Sequence, residues 1–192
     1  DIATAPATPE LVTKTYLEGF TRGETLKAYG DDYIFIGTEN GVEIKQWQAD
    51  IEEDAPRFKH IDTVTHFRAF DPVIAHGEFA YFTTRDGRED VNSPSDIVAI
   101  VDISDLSGAS VIFRYRGLDE PHGLTLFNDS LYVCDKVEGL VKFSIEEVDL
   151  SASDQQDAEG NTITEQTFGP GLVRQFVRDT YPCNDIIATS DR

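Results

Sequence analysis

The chain repeats one short pattern: an apolar strand, a small polar turn, an aromatic-rich strand, then a third apolar strand. Residues 26–37 (LKAYGDDYIFIG), 73–84 (VIAHGEFAYFTT) and 124–135 (LTLFNDSLYVCD) each carry it, and 185–192 begin a further copy. The turn residues Gly30, Gly77, Asn128 and Ser190 recur at intervals of 47, 51 and 62 residues. One blade of a β-propeller takes roughly 40–50 residues. Gly and Asn tolerate positive φ, so each centre suits a tight hairpin. A third strand follows in matching register, Gly41-Val42-Glu43-Ile44 after Gly37 and Gly139-Leu140-Val141-Lys142 after Asp135.

A fourth strand closes each unit. Residues 11–16, 111–115 and 172–176 alternate apolar and polar side chains, as a half-exposed strand does, and 58–67 supply the counterpart for the first unit. The pattern predicts an all-β chain, a β-propeller of about three complete four-stranded blades with partial blades at both ends. The expected boundaries are a leader at 1–10, an outer strand at 11–16, blades at 26–67, 72–115 and 123–176, and the start of another at 185–192. A propeller protects its sheet edges by closing a ring of about 4–8 blades. Three cannot close, so the expectation is a piece of a longer propeller or a ring completed by a partner. The lack of any Met points to a processed or partial chain.

Charge narrows the partners. The 192 residues hold 16 Lys and Arg against 36 Asp and Glu, a net charge of −20. Nucleic acids and anionic membranes need clustered cations, so neither is expected to bind. Such a surface favours solubility and attracts divalent cations. No apolar run reaches the length of a membrane span. The Pro- and Ala-rich stretch 1–9 suits the start of a mature exported protein or a linker, so an extracellular, cell-surface or periplasmic location is expected.

Two cysteines are present, Cys134 and Cys183. In a propeller the end of a second strand and the start of a first strand share one side, which brings these thiols across a blade boundary. A disulfide is one reading and agrees with an oxidising compartment. A pair of small buried apolar side chains is the other. Three segments break the rhythm and read as surface insertions: 47–56, 85–95 and the acidic stretch 146–169.

The same side of a propeller, the mouth of its channel, is where a ligand would sit. Arg68, Asp71, Arg85, Glu120, His122 and Asp185 are the candidate ligand-binding residues. Thr38, Glu39, Asp86, Asp135, Lys136 and Asn184 join them on that side. Asp71, Glu120, His122 and Asp185 could converge on a cation. Oxygen ligands suit calcium, and the His admits a transition metal. The competing reading is structural: an Asp before a strand caps a turn, and His122 bonds neighbouring backbone. His60, His66 and His76 lack ligand spacing. Tyr33, Phe35, Tyr81, Phe82 and Tyr132 sit at strand spacing and are expected in the core. Phosphate loop, Cys-x-x-Cys, nucleophile elbow and complete EF-hand patterns do not occur.

The run Ile97-Val98-Ala99-Ile100-Val101-Asp102-Ile103-Ser104 resembles the signature of the LVIVD-repeat family, in which an apolar strand ends in Val-Asp-Ile-Ser and turns. Phe67–Val73, Pro121-His122-Gly123-Leu124 and Leu131–Asp135 agree with it, so the resemblance covers about residues 60–145. Gln46-Trp47-Gln48-Ala49 and Ser144-Ile145-Glu146-Glu147 stand where the Asp-Ile-Ser ending is expected. The resemblance implies a propeller of bacterial and archaeal surface or exported proteins and transfers no catalytic residue.

Three functional readings follow. The first is a non-enzymatic surface propeller that binds a protein or self-associates to complete the ring. The second is a metal-dependent, lactonase-like hydrolase with a channel cation as Lewis acid. The third is a small-molecule binding module whose acidic face takes a cationic ligand.

Overall fold

The structure, a computed structural model, describes residues 23–38, 41–50, 52, 57–65, 73–84, 96–153, 166–178, 182–183 and 185–186. They form three four-stranded antiparallel sheets and one short 3-10 turn, with no α-helix among them. The first sheet orders β1 (Gly23–Tyr29), β2 (Tyr33–Thr38), β3 (Gly41–Trp47) and β4 (Phe58–Thr65) side by side. The second orders β5 (Val73–His76), β6 (Phe79–Thr84), β7 (Ile97–Asp102) and β8 (Ser110–Tyr115). The third orders β9 (Pro121–Phe127), β10 (Ser130–Asp135), β11 (Gly139–Asp149) and β12 (Phe168–Arg178). Each is a simple meander, so every pairing is between neighbours in sequence.

Turn chemistry sets the register of the first hairpins. His76 pairs with Phe79 across a two-residue loop, with Gly77 at φ 60° in its first central position, as a type II′ turn requires. Phe127 pairs with Ser130 across Asn128 and Asp129, whose φ values of 48° and 55° are those of a type I′ turn.

The sheets stack face to face in chain order. Phe35, Val42, Ile44 and Val64 of the first sheet pack on Ala80, Phe82, Ala99 and Val101 of the second. Tyr81, Val98, Ile100 and Phe113, on the opposite face of the second sheet, pack on Leu131, Val133, Val141 and Phe143 of the third. The middle sheet is therefore buried on both faces. That is why β7 reads as an unbroken apolar run, Ile-Val-Ala-Ile-Val, rather than an alternation. In β11, with one face packed, buried and half-buried residues alternate from Gly139 to Ser144.

The first strands lie in series, β1 beside β5 and β5 beside β9. The Tyr29 hydroxyl donates to Gly77 O at 2.8 Å, tying the end of β1 to the next sheet's hairpin. Thr83 Oγ1 donates to His122 O at 2.6 Å and does the same from β6 to β9. At the outer side β8 meets β12, where Gly171 lets the strand approach Phe113 and Val148 closely.

Two expectations are corrected. Ser144-Ile145-Glu146-Glu147 do not end the third strand of the third sheet, because β11 continues to Asp149. Its ending is Val148-Asp149-Leu150-Ser151, in which Asp149 Oδ1 accepts from Ser151 N and Ser151 Oγ while Leu150 is buried. At the end of β7, Asp102 Oδ1 accepts from Ser104 N and Ser104 Oγ while Ile103 is buried. The Asp-apolar-Ser turn thus ends β7 and β11 in equivalent places, and Asp105-Leu106-Ser107 repeats it just after the first of them. For the same reason 146–169 is not one insertion. Strand β11 takes its first residues and β12 its last two, with a 3-10 turn at Leu150–Ser153. Asp185 and Ile186 lie in no strand, and the rest of 185–192 falls outside the described residues. The stretches 1–16 and 85–95 fall outside the described residues.

Candidate functional site

The side of the molecule where β2, β6 and β10 end gathers polar residues. Thr38, Thr84 and Asp135, the last residues of those strands, are fully buried. In the third sheet Asp135 pairs with Pro121, so the start of the first strand and the end of the second do share a side.

Asp135 is an anchor. Its Oδ2 accepts from the backbone N–H groups of Asp119 and Glu120, each at 3.0 Å. Its Oδ1 accepts from Val137 N at 2.8 Å and Glu138 N at 2.7 Å. One carboxylate therefore satisfies four donors from two loops, the entry to β9 and the turn between β10 and β11. Lys136 N adds a bond to Glu120 O at 3.0 Å. Both Asp135 oxygens thus accept from backbone N–H groups.

Glu120, His122 and Lys136 form a small cluster above it. Glu120 Oε1 meets Lys136 Nζ at 2.7 Å and His122 Nε2 at 3.5 Å. The Lys136 bond holds the Glu120 carboxyl below its usual range; partial burial opposes this and His122 adds to it. The His122 side chain is almost wholly buried, while that of Lys136 is half exposed. Glu120 and His122, both candidates from the sequence, are thus brought together. Asp185 is exposed, and its Oδ1 accepts from its neighbour Ile186 N at 2.8 Å. Among the described residues no group of three or more His, Cys, Asp or Glu could hold a metal ion. Arg68, Asp71 and Arg85 lie outside the described residues, as do Glu39, Asp86 and Asn184.

Cys134, fully buried, is joined to Cys183 by a disulfide with a Cα–Cα distance of 4.9 Å. The end of β10 is thus fixed by a covalent link at one residue and by a four-bond carboxylate at the next.

The aromatic residues have divided roles. Phe35 and Phe82 fill the interface between the first two sheets. Tyr132 stands half-buried on the third sheet's other face, with Lys142 Nζ 5.8 Å from its ring centre. Tyr81 packs between the second and third sheets, and burial pushes its phenol up from the ordinary value. It borders a groove of about 590 Å³ at the hairpin end of the molecule, lined also by His76, Leu126, Phe127, Asn128, Asp129 and Ile145. The sequence pattern marks these as packing and turn residues. Only the two sheets coming together reveals the concavity.

No helix among the described residues is long and apolar enough to cross a membrane. No family model matches the chain, and no curated protein and no solved structure matches it.

Proposed function

We propose that the three sheets are consecutive blades of a β-propeller, and that the chain acts as a non-enzymatic binding or assembly module outside the cell or at its surface. The observation that carries this reading is the stacking. Three meanders of the same strand order lie face to face in chain order, with first strands side by side. This is the relation between neighbouring propeller blades. The Asp-apolar-Ser turns after β7 and β11 support the likeness to LVIVD repeats. Closing a ring of about 4–8 blades takes further sheets, which a longer chain, a protein partner or a second copy supplies in this reading.

The polar side favours binding over catalysis. Its buried carboxylate is held by four backbone donors, and Glu120 is neutralised by Lys136. The disulfide supports an oxidising location, and the net charge of −20 disfavours nucleic-acid partners. Sedimentation of the purified chain, alone and after incubation with extracts of its native cell surface, tests the proposal. Self-association or a stable complex is expected. A 21.4 kDa species that stays monomeric in both conditions overturns it.

A further inference from the structure

The groove at the hairpin end is set apart from the polar side discussed above. It opens between the second and third sheets, with Leu126, Phe127 and Ile145 as apolar walls and Tyr81 at its edge. Its volume of about 590 Å³ falls in the range of small-molecule sites, roughly 300–1,000 Å³.

Two observations indicate what it would hold. The first is Tyr81, only 3% exposed. Burial pushes its phenol up from the ordinary value, and the residue borders the groove. A hydroxyl at that edge can exchange water for a ligand's polar group. The second is the type I′ turn. It places Asn128 and Asp129 at the rim, both exposed, with Asp129 the only carboxylate among the described lining residues. His76 faces them from the neighbouring hairpin and adds a further hydrogen-bonding group.

We propose that this groove binds a small aromatic amine, with the ring against Leu126, Phe127 and Ile145, the ammonium at the Asp129 carboxylate and a polar atom at the Tyr81 hydroxyl. Charge selects the cation, since an anion would meet both Asp129 and the field of a chain with net charge −20. Apolar walls select the aromatic body, and length separates a ring-bearing amine from a lysine side chain. The inference stands independently of whether the sheets belong to a closed ring.

The test uses 2-phenylethylamine with the whole chain, read by NMR shifts of the Leu126 and Ile145 methyl groups and the Tyr81 ring. Saturable, localised shifts are expected. The neutral 2-phenylethanol should bind at least about ten-fold more weakly, as should Asp129→Asn toward the amine, since each removes a charged hydrogen bond. Tyr81→Phe should weaken binding by roughly three- to ten-fold, the worth of one neutral hydrogen bond. n-Butylamine, a stand-in for a lysine side chain, should bind several-fold more weakly because it leaves the walls uncovered. Both substitutions suit their sites: Phe fills the space of Tyr81, and Asn is at ease at positive φ. No saturation up to about 10 mM, ten-fold beyond a millimolar Kd, overturns the proposal. So does equal binding of the alcohol or butylamine, or equal affinity in both variants.

Discussion

Replacing Asp135 by asparagine isolates the anchor that holds the third sheet's polar end. The carboxylate accepts four backbone N–H groups at 2.7–3.0 Å, two on each oxygen, and is fully buried. Asparagine keeps one acceptor oxygen and turns an NH₂ group toward the other pair. Whichever way the amide faces, two partly buried donors lose their acceptor. An unsatisfied donor costs about 1–3 kcal/mol when buried, and these lie at the low end, so the variant should lose about 2 kcal/mol in all. Urea unfolding followed by far-UV circular dichroism measures this as a lower midpoint at unchanged slope. Amide exchange gives the local reading. If the amide oxygen stays with Val137 and Glu138, exchange should accelerate at Asp119 and Glu120, and the reverse if it flips. A loss below about 1 kcal/mol, with all four amides still protected, would refute the assignment, because one net hydrogen bond alone is worth that much.

Three further outcomes follow from the geometry. Cys183→Ser removes the crosslink while leaving the buried Cys134 in place; closing a loop of 49 residues is worth up to about 4 kcal/mol by chain entropy. Thermal unfolding with and without reductant should therefore differ in the natural chain and coincide in the variant. Gly171→Ala puts a methyl group into Val148 Cγ2 and within 3.0 Å of Phe113, so stability should fall by about 1–3 kcal/mol, read in the same urea titration. The Glu120 carboxyl has its folded pKa lowered, chiefly by Lys136, so its stabilising effect is complete above the unfolded value near 4.5 and is lost as pH falls through the folded value. Glu120→Gln should lower stability slightly above pH 4.5, only slightly because the pair is solvent-screened, and converge with the natural chain at lower pH, so that the acid limb of a stability–pH profile flattens.

The strands that alternate, or that flank a Gly or Asn turn, were legible because their signals are local. Gly77 and Asn128 declare hairpins through φ alone, and the unbroken run in β7 declares a strand covered on both faces. The length of β11 was not legible. Glu146 and Glu147 are exposed and look like a loop, yet they pair in register with Gly171 and Pro170 of β12. The Asp-Leu-Ser turn at Asp149 was the signal that could have placed its end. Glu43 and Lys45 alternate with Val42 and Ile44 as a solvent-facing pair would, yet both are buried, 3.1 Å apart. An ion pair inside a sheet face cannot be told from a solvated one by periodicity. Asp135 was legible as a polar strand end, but its four partners come from separate loops, and only tertiary contact reveals them. The Tyr81 groove is of the same kind, formed by residues of two sheets.

The face-to-face stacking of the three sheets is the premise of the whole account, and methyl-labelled NMR tests it on a single strand. Strand β7 should show Val98 and Ile100 methyl contacts to Leu131, Val133 or Val141, and Val101 contacts to Val42 or Ile44. Alternate residues of one strand would then report two different sheets. Contacts from all three residues to one sheet only, or solvent exposure of either face of β7, would contradict it.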